Sequence, residues 1–233
     1  MDAHETYLVR LWLPDRPGAL GAVTSRFGAL KGDVIGLEIV ERGGGLAIDE
    51  LGVSLPADVS VDLILREVGM EEEVEIEDVR LLSGSIYDPH LDVLEAASIL
   101  MEAESCDQLT AALPEHVCRA VRSSWACVVG PGGGVIGSWG DRPNDRWLDS
   151  FISGSPAVKP GVEWADQGPA MDTVWLSLPA ASAALVVGRD SVIRTRERQR
   201  LAALAKIADR WFGRLRERAD RQALAFHPAG TGD

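Results

Sequence analysis

The sequence predicts an α+β protein of two domains, a βαββαβ domain followed by a domain with a central antiparallel sheet and a long terminal helix. Strand-like and helix-like apolar patterns alternate in that first order along the first third of the chain. Lys and Arg number 7 against 17 Asp and Glu in residues 1–83, but 16 against 19 in 84–233. Six of the seven Trp residues lie beyond residue 120. We predict a boundary at Ser83-Gly84-Ser85, domains at 1–83 and 84–222, and a disordered tail at 223–233.

The first strand and helix follow directly from residue pattern. Apolar residues alternate with others over Thr6–Leu13, which predicts a strand. The sequence Pro14-Asp15-Arg16-Pro17-Gly18 breaks that strand. Apolar residues then recur at spacings of three and four from Leu20 to Leu30, which predicts a helix ending at Lys31-Gly32-Asp33.

The rest of the first domain adds a hairpin, a helix and a strand. Alternating segments on either side of Gly43-Gly44-Gly45 predict strands two and three joined by a tight turn. Asp58 is placed to cap a second helix, and Val74–Leu81 supplies the fourth strand. The order is that of a ferredoxin-like fold, with two helices on one face of a four-stranded antiparallel sheet.

The second domain is predicted as helices around two pairs of strands. A helix begins at Asp88-Pro89 and runs to about Glu104, and a second helix is bent or reset at Pro114. Residues 141–172 are predicted to be irregular, with one short helix near Trp147. The remaining predicted elements are strands at Trp125–Gly130, Val135–Trp139, Thr173–Leu178 and Ala183–Val187, and a long helix at Thr195–Gln222.

Composition excludes several functional classes. No apolar run approaches the length of a membrane span, and the N-terminus lacks a basic region followed by an apolar stretch, so we expect a cytoplasmic protein. A net charge of −13 argues against nucleic-acid binding. The three cysteines have no C-x-x-C spacing and the four histidines lie far apart, so we expect free thiols, no metal and no cofactor.

The loop after strand one carries a family resemblance. Asp15-Arg16-Pro17-Gly18-Ala19-Leu20, followed by a helix and then by Gly32-Asp33-Val34-Ile35, resembles the ACT family of amino-acid sensors over residues 6–82. The resemblance implies a homodimer in which the start of strand two of a neighbouring subunit, here Asp33, Val34 and Ile35, closes the pocket. Where the family often has Asn, this sequence has Val34.

The physical chemistry of the loop supports that use. Gly18 lets a ligand approach the backbone closely, and the free N–H groups of Gly18, Ala19 and Leu20 at a helix start can hold a carboxylate. Asp15 and Asp33 are both candidates for the ligand's ammonium group. The candidate ligand-binding residues are Asp15, Pro17, Gly18, Ala19, Leu20, Asp33, Val34 and Ile35. The alternative is that Asp15 and Pro17 only turn the chain and start a helix.

The second domain resembles a small GAF-like domain. The order of a helical segment, paired strands, an irregular middle, paired strands and a long helix carries this resemblance. Val186-Val187-Gly188-Arg189-Asp190, followed by the apolar face of the terminal helix, is similar to the end of that fold. The domain would then supply interface area or a second small-molecule pocket.

Two motifs suggest chemistry that their context argues against. Gly132-x-Gly134-x-x-Gly137 matches a dinucleotide fingerprint, but a strand and not a helix follows it, which favours a glycine-rich hairpin. Cys127 lies in an apolar strand without a basic partner nearby in sequence, which favours a buried core thiol. No serine-hydrolase, phosphate-loop or zinc-protease motif is present, so no enzyme activity is predicted.

Two charged segments are open to more than one interpretation. Glu71–Asp78 is acidic, and a solvated strand face is favoured over cation binding. Arg194–Arg221 carries ten Lys and Arg against four Asp and Glu. It is either a helix docked on the second sheet or a basic surface that meets the acidic domain of a partner subunit.

Together these patterns predict a non-catalytic regulatory protein that binds a free amino acid, dimerises and signals to an unknown protein partner. The alternative is a ligand-free scaffold for dimerisation or protein interaction.

Overall fold

The structure, a computed structural model, describes residues 3–82, 88–154 and 172–226. The chain divides into two compact units. The first comprises Met1–Asp88 with Arg194–Arg196, and the second comprises Pro89–Ile193 with Glu197–Asp233. The predicted boundary at Ser83-Gly84-Ser85 lies outside the described residues. None of the described helices is long and apolar enough to cross a membrane.

The first unit contains a four-stranded antiparallel sheet with strand order β2-β3-β1-β4. Strands β1 and β3 are paired without interruption from His4 opposite Pro56 to Pro14 opposite Leu46. The order along the chain is strand, helix, strand, strand, helix, strand, as the apolar pattern predicts. Its elements are β1 (His4–Pro14), α1 (Ala19–Ala29), β2 (Asp33–Gly43), β3 (Leu46–Pro56), α2 (Val61–Val68) and β4 (Glu75–Leu82).

The core of this unit lies on one face of the sheet. Every second residue of β1 and β3 points to that face, where Phe27 of α1 and Ile64 of α2 are fully buried. The other face carries Arg10 and Glu50, which are buried and paired at 2.5 Å. Ser60, and not the predicted Asp58, caps α2, because the Ser60 hydroxyl accepts the Leu63 N–H at 3.3 Å.

The second unit contains another four-stranded antiparallel sheet, with strand order β6-β5-β8-β7. A large core joins one face of this sheet to the helices before β5 and to the terminal helix. A smaller apolar cluster lies on the other face, around Trp125 and Cys127. The elements are α3 (Pro89–Met101), α4 (Cys106–Val121), β5 (Trp125–Val129), β6 (Val135–Gly140), α5 (Asp145–Gly154), β7 (Asp172–Leu178), β8 (Ala183–Arg189) and α6 (Thr195–Phe226).

Several predicted boundaries in the second unit are wrong by a few residues. Helix α3 ends at Met101, before the predicted Glu104, and α4 continues through Pro114 as one helix. Helix α6 extends to Phe226, so residues 223–226 belong to a helix and not to the predicted disordered tail. The remainder of that predicted tail, 227–233, lies outside the described residues. Most of the predicted irregular middle lies outside them as well.

Candidate functional site

Gly18 occupies the N-cap of α1 in a left-handed conformation, with φ 92° and ψ −20°. A residue with a Cβ rarely adopts such angles, so glycine is required here by the backbone. Space is not the reason, because a Cβ built on Gly18 would meet nothing within 4 Å. The loop is therefore held in a conformation that opens the start of the helix to solvent.

The amides at this helix start are only partly used. The Ala19 N–H donates to the Arg16 carbonyl at 3.3 Å, so one of the three amides predicted to be free is engaged at long range. Within the described residues the Gly18 and Leu20 amides have no acceptor. The first turn of α1 contains no acidic side chain and the N-cap has no side-chain hydrogen bond. This helix terminus therefore retains the donors and the partial positive charge that attract an anion.

Asp15 is fixed against the hairpin that joins β2 and β3. Its N–H donates to the Gly45 carbonyl at 2.9 Å, and its Oδ1 lies 3.7 Å from the Arg42 Nε. Both side chains are exposed, at 39% for Asp15 and 57% for Arg42. The predicted ammonium acceptor Asp15 thus stands beside a cation, and Arg42 is a second positive group at the loop that the sequence argument missed.

The structure does not bring Asp33, Val34 and Ile35 to this loop within one chain. Asp33 is level with Ser54, which pairs with Thr6 near the start of β1, whereas the loop follows Pro14 at the end of β1. Eight residues of strand at roughly 3.4 Å each place the two groups about 27 Å apart. The eight candidate residues therefore form two half-sites at opposite ends of one sheet.

The half-site on β2 is partly exposed. Ile35 sits at a register shift between Val34 and Gly36, and 42% of its surface is exposed. Val34 packs against the core of its own unit. Leu37, two residues further along the strand, is 47% exposed. This end of β2 thus offers an apolar surface to an incoming group.

Asp49 on β3 is a buried carboxylate near the loop that the sequence argument did not single out. Only 3% of Asp49 is exposed, and its Oδ1 has no hydrogen-bond partner within the described part of the chain. It pairs with Leu11 and Ile39 and shares the core face with Ala47 and Leu51. Burial raises its pKa above the ordinary range, Arg42 lowers it and Asp15 raises it. The alternation of β3 could have identified it, because Asp49 occupies one of the alternate positions whose side chains face the core.

The glycine-rich segment of the second unit is a hairpin between β5 and β6, as its context predicts. The Gly130 N–H donates to the Gly134 carbonyl at 2.8 Å, which closes the turn. A Cβ on Gly137 would lie 2.4 Å from the Thr110 carbonyl oxygen of α4. The third glycine of the apparent fingerprint therefore permits close packing of helix on strand and leaves no helix start for a pyrophosphate.

The cysteines near this hairpin are buried thiols with raised pKa values. Burial raises the pKa of Cys118 to about 12 and that of Cys127 to about 11. Both thiols are therefore protonated at neutral pH, where a nucleophilic cysteine requires a lowered pKa. Trp125 belongs to the same apolar cluster as Cys127, and its ring lies across Gly188. The Trp125 and Trp147 rings pack edge to face, with 6.4 Å between their centroids.

The acidic segment after α2 contacts basic and polar groups of the same unit. Glu71 accepts from the Arg26 Nε at 2.6 Å, and Glu73 from Arg16 at 2.8 Å. Glu77 accepts from the Trp12 indole at 2.8 Å. Across the described residues no group of three or more His, Cys, Asp and Glu is arranged to hold a metal ion.

No family model and no curated protein matches the chain. An unknown protein from Galdieria sulphuraria is similar in structure with 12% sequence identity, over 91% of this chain and 95% of that chain, at a TM-score of 0.32. Bacteriophytochrome RpBphP3 from the photosynthetic bacterium R. palustris is similar with 13% identity, over 77% of this chain and 42% of that chain, at a TM-score of 0.42. Similarities at these TM-scores do not establish a common fold.

Proposed function

We propose that the chain is a non-catalytic regulatory protein whose first unit is an ACT module that binds a free amino acid between two copies of the chain. The observation that carries the proposal is the uncapped helix start at Gly18, in a loop whose Asp15 lies 3.7 Å from the basic Arg42. An amino-acid carboxylate needs such a combination of backbone donors and positive charge. If the loop only turned the chain, a side chain could cap the helix, yet the N-cap Gly18 leaves it uncapped.

Pairing of β2 with β2 of a second copy would unite the two half-sites. Strand β2 is at the edge of its sheet, and strands related by a two-fold axis run antiparallel. The start of β2 in one copy would then lie beside the end of β2 in the other. That end, at Gly43, is level with Leu46 and Pro14, next to the loop. Asp33 and Ile35 of the second copy would therefore approach the Gly18 loop of the first.

The exposed apolar side chains on β2 support this pairing. Ile35 and Leu37 are both more than two-fifths exposed on an edge strand. An exposed apolar edge is prone to pair with another strand unless charges or bulges block it. Two register shifts interrupt β2, between Val34 and Gly36 and between Ile39 and Glu41, so we place the pairing on the segment between them.

We further propose that the second unit is GAF-like and passes the ligand signal to a protein partner, with the protein acting in the cytoplasm. Its antiparallel sheet with a helical core on one face and a long terminal helix agrees with the arrangement that the resemblance implies. The amino acid would act by population shift, because a ligand held between two copies favours the paired state by its differential affinity.

The test is calorimetry and thermal unfolding of the full chain with each of the twenty amino acids, together with light scattering. One or a few amino acids should release or absorb heat, raise the melting temperature and increase the dimer fraction. If none of them does so, the first unit is a ligand-free scaffold, which is the competing function. A dimer without ligand response would favour that scaffold directly.

Two lysine variants test whether the dimer uses β2. Leu37→Lys places a charge on the proposed strand pairing and should weaken dimerisation at least about tenfold, with loss of ligand affinity. Leu94→Lys is the matched control, since Leu94 on α3 is 67% exposed in the other unit. If Leu37→Lys dimerises and binds like the parent protein, the two-copy site is wrong.

A further inference from the structure

Asp49 is a titratable group that the described residues bury without giving its Oδ1 a hydrogen-bond partner. Only 3% of its surface is exposed. An ionised carboxylate in such a place is costly unless a cation or several donors accompany it. The cation that acts on it, Arg42, is exposed and lies against Asp15.

The basic side chains of β1 and α1 are paired with other carboxylates. On β1 and β3 the neighbouring charges Arg10 and Glu50 lie on the other face of the sheet, where they pair with each other at 2.5 Å. On α1 the basic side chain is Arg26, whose Nε lies 2.6 Å from Glu71. The loop side adds a negative charge, Asp15. Among the charged groups at this end of the sheet, Arg42 and Asp15 are the ones that act on Asp49.

A free amino acid has the complementary charge pattern, with a carboxylate and an ammonium group on one carbon. The Gly18 and Leu20 N–H groups and the Arg42 guanidinium can donate hydrogen bonds to the carboxylate. The ammonium group, compact and rich in donors, then requires an anion close by. Asp49 lies on the inner face of the same sheet end, whereas Asp33 belongs to the other half-site.

We propose that Asp49 accepts the ammonium group of the bound amino acid and so makes the site select amino acids over acids that lack the amine. The inference rests on the proposed function and specifies its ligand class. Of the two acceptors that the sequence suggests, Asp15 would then remain with Arg42 and Asp33 would be secondary. Asp49 acts here as a binding residue and takes no part in any reaction.

The raised pKa of Asp49 gives this assignment a second readout. The ammonium group pairs with the ionised carboxylate, so affinity should rise as the pH increases through the pKa of Asp49. Binding should also lower that pKa and release protons near it, because the ligand favours the charged form. Asp15 and Arg42 are the other charged groups that act on Asp49.

The experiment compares the parent protein, Asp49→Asn and Asp33→Asn by calorimetry. The probes are the twenty amino acids and, for each that binds, the 2-hydroxy acid with the same side chain. Asp49→Asn should weaken amino-acid binding at least about tenfold and leave binding of the hydroxy acid unchanged. Asp33→Asn should change amino-acid affinity less than Asp49→Asn does. The circular dichroism and melting temperature of each variant establish that it is folded.

Each outcome decides between the two levels of the proposal. If the parent binds no amino acid, the proposed function fails and this inference fails with it. If the parent binds and Asp49→Asn binds equally well, the site stands but Asp49 is not its ammonium acceptor. Equal loss of the amino acid and the hydroxy acid in a folded Asp49→Asn protein would assign Asp49 a structural role and overturn the inference.

Discussion

The two units each bury a charged side chain, but they surround it in opposite ways. Arg189 in the second unit is 1% exposed, and every guanidinium nitrogen is bonded. Its donors reach both Glu197 oxygens at 2.7 and 2.6 Å, the Val121 and Ser191 carbonyls at 3.1 Å, and the Val192 carbonyl. Asp49 in the first unit is 3% exposed, and its Oδ1 has no such partner in the part of the chain that the structure describes.

The difference separates a charge that organises structure from a carboxyl group that we propose as a ligand contact. Arg189 joins the end of β8 to the end of α4 and to the first turns of α6 within its unit. All five of its N–H donors are in hydrogen bonds within the unit, so none remains for a ligand. Asp49 keeps unused acceptor capacity at the cost of stability, which is the usual condition of groups in binding sites.

Removing the partner of Arg189 should produce the largest loss of stability. Glu197→Leu leaves a buried guanidinium without its carboxylate, which costs roughly 3–5 kcal/mol. The double variant Arg189→Met with Glu197→Leu should recover most of that loss, because both charges disappear. Urea unfolding followed by tryptophan fluorescence measures this, since six of the seven Trp residues lie beyond residue 120.

Glu217→Leu on the exposed part of α6 is the matched control for the same substitution. It should change the free energy of unfolding by less than about 0.5 kcal/mol. An unchanged midpoint for Glu197→Leu would show that the buried pair contributes no net stability and would remove the basis of the comparison.

Gly18→Val should destabilise the first unit as well as weaken binding, because it forces a β-branched residue into φ 92°. The expected loss is about 1–2 kcal/mol. Gly18→Asn tolerates this conformation better and is therefore the variant for testing ligand contacts separately from the fold. Scanning calorimetry of the full chain measures both variants.

Gly21→Ala on α1 is the control in which a glycine is replaced at a position with ordinary helical backbone angles. Gly21 has no atom within 4 Å of a built Cβ and its φ is not positive, so Ala should stabilise by roughly 0.5–1 kcal/mol. If Gly18→Val is as stable as the parent, the left-handed N-cap is not a constraint on this loop.

Asp49→Asn should stabilise the ligand-free protein at neutral pH by about 1 kcal/mol, since it removes a buried charge. The folded-state pKa of Asp49 is raised, so the carboxylate ionises more readily in the unfolded chain. The penalty is therefore absent below the unfolded pKa, near 3.9, grows as the pH rises from there to the folded pKa, and is constant above it. Melting temperatures of both proteins should converge in acid and diverge towards neutrality.

Asp33→Asn, at an exposed position, is the control for this pH series and should show little divergence from the parent. A constant difference between Asp49→Asn and the parent across all pH values would mean that the substitution acts through packing and not through charge.

The smallest effect is expected for the exposed ion pair of Arg16 and Glu73. Its atoms are 2.8 Å apart, but the two side chains are 64% and 65% exposed, so water screens the attraction. Glu73→Gln should change the free energy of unfolding by less than about 0.5 kcal/mol, measured as for the other variants. A loss comparable to that of Glu197→Leu would show that distance and not burial decides the value of these pairs.

Most secondary-structure elements of the first unit were predictable because their signals are local. Alternation identifies β1 and β3, and the glycines of the hairpin, with φ 63° at Gly44 and 81° at Gly45, mark the turn between β2 and β3. Caps were less predictable, because several nearby polar residues compete for one position. Asp58 and Ser60 both suit the start of α2, and only the finished backbone selects Ser60.

The sequence by itself determined the order of elements, the loop with Gly18 and the uneven charge of the two parts, since each depends on residues close together in the chain. Only the tertiary structure decided that Asp33 and Gly18 lie at opposite ends of one sheet, because strand register sets that distance. It likewise decided that the Asp49 Oδ1 is buried without a partner among the described residues, while every guanidinium nitrogen of Arg189 is bonded. Whether a charge is neutralised depends on side chains that the fold brings from distant positions, and no local pattern records them.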